Sequence, residues 1–488
     1  MAFDANASSG RSKQSNYNTK SACAEEEKAP DAAEGARELI ERLQHGAAGI
    51  VAAAGDAELR ELNDKHAVLR NEGGKCVVLS RVRDPVGGAA RERVQFQSFH
   101  DFRNRYLNRW VCVGYKDGQP RYKKLGAWWL EHPERREYEA LTFEPGGPNE
   151  IEGYLNLWRG WGVTPMRGDW SLLRAHMREV LANGDEQAFA YMLNWCAFTL
   201  QNPSLPAEVA LIFKGGRGTG KGMFGRAMVK LFGQHGLQIS GSGHLTGRFN
   251  AHLRDLCLLF ADEALAKGDV EAEAKLKALI TEPTLIIEGK GRDAIEAPNR
   301  LHIVMASNRD WVVPAGADER RFAVFDVSEQ RKGDAAYFKA LVSEMGSGGL
   351  AAMLSDMLAV ELGDWHPRHD VPQTHALRDQ KEHSLPPEEQ WVLGLLDAAE
   401  LPGRKPATPR RVTCNELYEA ARKASPKLRD TSDNALARHL TDKWNLPKKD
   451  VRVGGHRARE FPPLQEMRRQ FEEKYGQREW ASDADEWL

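Results

Sequence analysis

Apolar residues recur at helical spacing from Trp170 to Leu181 and again from Glu186 to Leu200. Asp169 and Asp185 stand before these runs as predicted N-caps, and Asn202-Pro203 ends the second. Beyond Pro203 the pattern changes. Short apolar runs at Val209–Phe213, Leu256–Ala261, Leu301–Ala306 and Phe322–Val327 read as strands, the second as one buried on both faces. Between them, Lys221–Phe232 (with Gly233 past its end) and Val270–Ile280 read as helices. Leu285–Glu288 and Ala294–Ala297 flank Gly289-Lys-Gly-Arg-Asp, a predicted β-hairpin. This alternation predicts an α/β domain with a largely parallel sheet.

The flanks are less regular. Residues 1–35 are polar and nearly devoid of large apolar side chains, the composition of a disordered tail. A short helix is expected at Ala36–Gln44. Short strands are expected at Ala67–Leu69 and Lys75–Leu79, separated by Gly73-Gly74. After helices at Ala335–Met345 and Leu350–Leu362, the Pro- and His-containing stretch from Trp365 to Pro387 reads as a linker. Helices to Ala399, at Asn415–Ala424 and at Asn434–Trp444, then a hairpin at Asp450–Phe461, give the order of a winged helix.

Composition narrows the class. The chain has 488 residues, 41% hydrophobic and 28% charged, with a formal net charge of −2. That length suits about three domains. No window reaches the roughly 18 uncharged apolar residues of a spanning helix, and the start lacks the basic and apolar runs of a signal peptide. The six cysteines are scattered without a CxxC pair, which argues against a disulfide scaffold or a zinc site. A cytoplasmic, multi-domain protein is expected, with no membrane partner. Basic and aromatic residues interleave over 97–138 (Phe102-Arg-Asn-Arg-Tyr, Arg109-Trp, Arg121-Tyr-Lys-Lys), as in a nucleic-acid surface or the wet face of a small packed domain. Arg410, Arg411, Lys448, Lys449, Arg452, Arg457 and Arg459 make the C-terminal region a second candidate DNA contact.

The sharpest chemistry lies between the first strand and the helix that follows it. Gly215-Gly216-Arg217-Gly218-Thr219-Gly220-Lys221-Gly222 matches the first seven positions of the phosphate-binding pattern GxxxxGK[ST]. Glycines let successive N–H groups turn inward, and the helix N-terminus adds positive potential, so the loop can cradle a polyphosphate such as that of ATP. Lys221 is placed to reach the β- and γ-phosphates. Gly222 stands where a hydroxyl ligand to magnesium is usual, so the metal needs another carboxylate or water. Leu256–Ala261 delivers Asp262 to a strand end as that Mg2+ ligand, with Glu263 as general base on the attacking water. Asn308, at the end of Leu301–Ser307, is a candidate to orient the water and read the γ-phosphate. Arg320 or Arg321, in Asp318-Glu-Arg-Arg-Phe, is a candidate arginine finger; the sequence does not choose between them.

In this order GGRGTGKG, LLFADE, EGKGRDAIEAPN, VMASN and DERRF resemble the motor of superfamily 3 helicases, AAA+-type proteins of viruses, phages and plasmids. The resemblance is nearest to phage and plasmid primase–helicase proteins and covers about residues 150–385, including the upstream Asn156-Leu-Trp-Arg-Gly-Trp. It implies a P-loop NTPase core, an ATP- and Mg2+-dependent helicase and a homo-hexameric ring in a bacterial host. It also implies that Lys290 and Arg292 at the hairpin tip grip single-stranded or forked DNA. The expected division is a tail (1–35), an α+β N-terminal region (36–150), a helical segment (151–205) and a P-loop ATPase/helicase domain (206–365). A linker (366–387), a small winged-helix-like C-terminal domain (388–477) and an acidic tail (478–488) complete it. No Asp-x-Asp pair suited to a primase-polymerase precedes residue 200, so a separate primase or polymerase is the expected partner. Two rivals remain: a P-loop small-molecule kinase and an ATP-switched DNA-binding regulator. The kinase gives no reason for the hairpin and the arginine pair, and Glu263 speaks against the regulator.

Overall fold

The computed structural model describes residues 55–83 and 92–488 apart from 118, 242–246, 248–249, 264–268, 290–292, 317–318, 404–409 and 448–450, with the isolated positions 37 and 41. The expected tail, most of the helix at Ala36–Gln44, the hairpin tip with Lys290 and Arg292, and Lys448 and Lys449 lie outside the described residues. The chain divides into two compact units, one of residues up to 64 and 100–135, the other of 65–99 and 136–488.

The smaller unit combines helical residues 55–64, the helix Phe99–Arg105, a hairpin of Trp110–Lys116 with Gln119–Lys124, and the helix Leu125–Glu131. Its core holds Leu59, Leu62, Phe102, Val111, Leu125 and Trp129. Trp129 Nε1 donates to Asn63 Oδ1 at 2.9 Å, so the buried indole keeps its polar partner.

The larger unit is mixed α/β with a five-stranded parallel sheet. Its strands are β1 (Ala210–Lys214), β2 (Gly236–Ser240), β3 (Leu258–Asp262), β6 (His302–Ser307) and β7 (Phe322–Asp326), in the spatial order β2-β3-β6-β1-β7. The hairpin is β4 (Thr284–Ile287) with β5 (Ile295–Pro298), antiparallel as the sequence predicts. The sheet is buried on both faces, and the strand alternation shows why. Leu211, Phe213, Leu258, Phe260, Ala323 and Phe325 enter one core, whereas Ala210, Ile212, Leu259, Ala261, Phe322 and Val324 enter the other. Helices α1 (Glu186–Gln201) and α2 (Lys221–Phe232) contribute to the first core; α3 (Val270–Thr281) contributes to the second. A further antiparallel sheet, His66–Glu72, Lys75–Arg83 and Glu92–Gln97, precedes them, turning at Gly73 and Gly74, both with positive φ.

Several sequence expectations change. The run from Trp170 is not one regular helix: an α-helix at Ser171–Ala175 passes into a π-helix at His176–Leu181. Its N-terminal N–H groups are shared between Asp169, which accepts from Ser171, and Glu344, which accepts from Leu172 and Leu173 at 2.7 and 3.0 Å. The expected linker at 366–387 contains the helix His375–His383, with Ala376 and Leu377 buried in the second core. Gln380 there accepts from the Val312 N–H at 2.6 Å and donates to Asp310 O at 2.6 Å. The expected acidic tail is also packed: Trp487 is buried, Trp480 lies against the same core, and Arg468 donates to the carbonyls of Ser482 and Ala484.

The C-terminal elements run helix (Pro387–Ala398), strand (Arg411–Thr413), helix (Cys414–Ala424), helix (Asp433–Trp444), strands (Val451–Val453 and His456–Glu460) and helix (Leu464–Tyr475). The last strand lies between the other two. Thr413 and Glu416 form a capping box on the second helix. Among the described residues no helix is long and apolar enough to cross a membrane.

Candidate nucleotide-binding site

β1 ends at Lys214, and the loop 215–220 returns the chain into α2 at the end of the parallel strands, where open α/β sheets place their ligand crevice. Gly218 (φ 76°) and Gly220 (φ 98°) adopt the left-handed conformation that side-chain-bearing residues rarely take. Lys221 is buried; its ammonium donates to Gly215 O at 2.7 Å and Gly216 O at 2.6 Å. Burial pushes its pKa down, against the raising effect of Asp262 and Glu263. Thr219 is fully buried, and its hydroxyl donates to Gly216 O at 3.0 Å. It therefore braces the loop from within.

Strand β3 brings the acids. β6 lies between β3 and β1, so its tip sits between the loop and the acidic pair. Gly215 N–H donates to Ser307 O at 3.2 Å, and Glu263 N–H donates to Ala306 O at 2.9 Å, which ties both sides to β6. Burial raises the Asp262 pKa, Glu263 raises it further, and Arg226 and Lys221 oppose the rise. Glu263 has φ of 53°, a conformation uncommon outside glycine, in which its side chain is exposed beside the pocket. The resulting cavity, about 390 Å³, is lined by 217–222, Met223, Arg226, Asp262, Glu263, Ser307, Asn308 and Phe338.

The structure thus brings together Arg217, Gly218, Thr219, Gly220, Lys221, Gly222, Asp262, Glu263 and Asn308, with Gly215 and Gly216 holding the lysine. Arg320 and Arg321 are not among the residues lining this cavity. They also differ from each other. Arg321 is half-buried and pairs at 3.3 Å with the buried Glu319, which also accepts both arginines' backbone N–H groups. The Arg320 side chain is exposed and makes no ion pair among the described residues.

Sequence reasoning missed four contributors. Arg226 lies where a side chain at Gly222 would go: a Cβ there would stand 2.8 Å from its guanidinium nitrogen. Phe338 brings an aromatic ring to the cavity. His176, on the π-helix, lies behind the loop: Nε2 is 3.4 Å from Gly220 O and Nδ1 is 3.1 Å from the Tyr337 hydroxyl. Glu329 faces Gly216, where a Cβ would come 2.2 Å from its carboxylate oxygen. Only Arg226, one helical turn beyond Gly222 on the same helix, carries a sequence signal.

The Asn156-Leu-Trp-Arg-Gly-Trp segment supports the site from below. Buried Asn156 fastens the turn around Glu144 and Pro148. Trp158 stacks on His235 at 4.7 Å, and Gly162 N–H donates to Leu231 O at 2.8 Å, at the end of α2.

The family model described as a family of unknown function, DUF5906, matches residues 213–321, from the end of β1 to Arg321. The chain is similar to the DNA primase-polymerase of Nitratiruptor phage NrS-1, with 28% identity over 201 residues. That match takes in 39% of this chain and 28% of the phage protein's length. Among solved structures, the apo C-terminal region of NrS-1 superposes with a TM-score of 0.59 at 18% identity, covering 82% of this chain and 96% of that one. The A-form apo structure of that region gives a TM-score of 0.57 at 17% identity, covering 82% of this chain and 96% of that one. The mixed α/β architecture is therefore shared with that region.

Proposed function

We propose that this chain is an ATP-hydrolysing DNA motor of a phage-type replication system, with a P-loop NTPase core of the AAA+ kind. The observation that carries the reading is Lys221. A desolvated ammonium, held by loop carbonyls, faces Asp262 and Glu263 across the tip of β6. Among the described residues, the N–H groups of Gly218, Gly220 and Lys221 make no hydrogen bond, which suits them to phosphate oxygens. Asp262 and Glu263, adjacent carboxylates in a partly desolvated pocket, are a donor set suited to a hard cation. Asp262 would hold Mg2+, which when bound neutralises phosphate charge. Glu263 would take the proton of the attacking water, and Asn308 would orient that water. Arg320, exposed and without an ion pair among the described residues, is the better of the two arginines to reach a neighbouring subunit's nucleotide in a homo-hexameric ring. Lys290 and Arg292 on the β4–β5 hairpin would contact the DNA strand.

A replication role is supported by the likeness to a phage primase-polymerase. The C-terminal order of helices and strands also suits a winged-helix reading. The test is strand displacement on forked DNA with ATP, run beside Lys221→Ala. Unwinding by the native chain and none by the variant is expected. If the native protein neither consumes ATP nor separates the strands, the reading fails.

A further inference from the structure

The smaller unit holds chemistry that the nucleotide pocket does not use. Its hairpin pairs Trp110 with Lys124, Cys112 with Tyr122, Gly114 with Arg121 and Tyr115 with Pro120. In an unbroken strand, residues two apart share a face, so Trp110 and Cys112 would be joined by residue 114. A bulge between Cys112 and Gly114 resets the alternation. Tyr115 therefore joins Trp110 and Tyr122 on one face, while Val111 turns to the other and is buried.

The three aromatic residues are 54% (Trp110), 57% (Tyr122) and 50% (Tyr115) exposed. The unit does not need them for its core, which Phe102, Trp129 and Val111 already fill. Leaving three large rings in water is unfavourable unless something covers them. The charge around them says what. Lys116, Arg121, Lys123 and Lys124 stand on the hairpin against a single acid, Asp117. Lys124 shares the aromatic face, its ammonium 3.6 Å from the centre of the Trp110 ring. Lys116, Arg121 and Lys123 lie on the opposite face, Lys123 paired with Glu131 at 3.0 Å. Flat rings with a cation among them on a basic hairpin suit a polyanion with exposed flat faces better than an apolar protein surface.

We propose that this hairpin face is a stacking platform for single-stranded DNA, separate from the ATP-driven motor. Bases lie on Trp110, Tyr122 and Tyr115, and phosphates meet Lys124 on the same face. Stacking of this kind tolerates any sequence, since every base has a π-face. Binding here requires no nucleotide.

The test uses the full chain without ATP and a fluorescein-labelled oligothymidylate, read by anisotropy. The triple variant Trp110→Ala, Tyr115→Ala, Tyr122→Ala should bind at least about tenfold more weakly. The corresponding triple Phe variant should recover most of the affinity. Lys221→Ala should bind like the native chain, which separates this site from the motor. A duplex of equal length should compete poorly, because its bases are covered. Thermal melting of the variants establishes that they fold. Native-like affinity in the triple Ala variant, no recovery with Phe, or equal competition by duplex would each overturn the proposal.

Discussion

The imidazole Nε2 of His176 lies 3.4 Å from the carbonyl oxygen of Gly220, and its Nδ1 lies 3.1 Å from the Tyr337 hydroxyl. With the tyrosine O–H donating to Nδ1, Nε2–H points at the loop. A π-turn at the helix carrying His176 thus links the nucleotide loop to the helix Ala335–Glu344. His176→Ala should therefore raise the KM for ATP several-fold while leaving Glu263 and its chemistry in place. His176→Gln, which keeps a donor, should recover part of the loss. Steady-state ATPase kinetics decide this.

Burial pushes His176 down to about 4 and His302 to about 3, from an ordinary 6.5. Both stay neutral in the folded chain while the unfolded chain takes up protons below 6.5. The unfolded state then binds more protons, so stability is complete above 6.5 and falls as the pH drops toward 4. Melting curves from pH 7.5 to 4.5 should show a steady fall in Tm. An unchanged Tm across that range would contradict the buried placement of the two rings.

The carboxylate and lysine variants should separate binding from hydrolysis. Lys221→Ala is expected to lose nucleotide binding. Glu263→Gln is expected to keep binding within a few-fold and lose turnover by about 100-fold or more, the scale of a removed general base. Equilibrium binding of a fluorescent ATP analogue beside phosphate release distinguishes the two.

The adjacent arginines should behave differently. Arg321→Ala leaves the buried Glu319 without its guanidinium and should cost about 1–3 kcal/mol of stability by denaturant titration. Arg320→Ala should leave stability within about 0.5 kcal/mol and abolish most ATPase activity. If Arg320→Ala hydrolyses ATP like the native chain, Arg320 is not the finger.

A backbone contact gives the last prediction. A Cβ at Gly162 would lie 2.0 Å from Lys230 O and 2.7 Å from Gly233 Cα, and neither can swing aside. Gly162→Ala should cost about 1–3 kcal/mol or more. Gly346→Ala, where a Cβ meets nothing within 4 Å, is the control and should be near neutral by the same denaturation assay.

The central sheet was legible because both its faces are buried, which leaves apolar runs such as Leu258–Ala261 uninterrupted. The helix at Lys221 was legible to the residue, since Gly220 and Gly233 bracket it. The π-helix was not: its apolar spacing differs too little from that of an α-helix. Phe338 reaches the cavity, and Glu329 and His176 reach the glycine loop, by tertiary packing alone, and they carry no local pattern. The segment 366–387 reads as a connector because its prolines and histidines hide the adjacent apolar pair, Ala376 and Leu377, that docks. In the C-terminal stretch Trp480 and Trp487 were the available sign that an acidic segment folds back onto a core.

Gly162 and Gly233 meet backbone to backbone, and Leu141, Leu155, Trp158 and Met192 share one core with Phe213 and Phe224. The α/β unit around the parallel sheet therefore has no clean seam at residue 206. A truncated version starting there would expose the underside of the phosphate-loop helix to water, and its insolubility would say nothing about catalysis. A working fragment has to retain the strap that begins near residue 136.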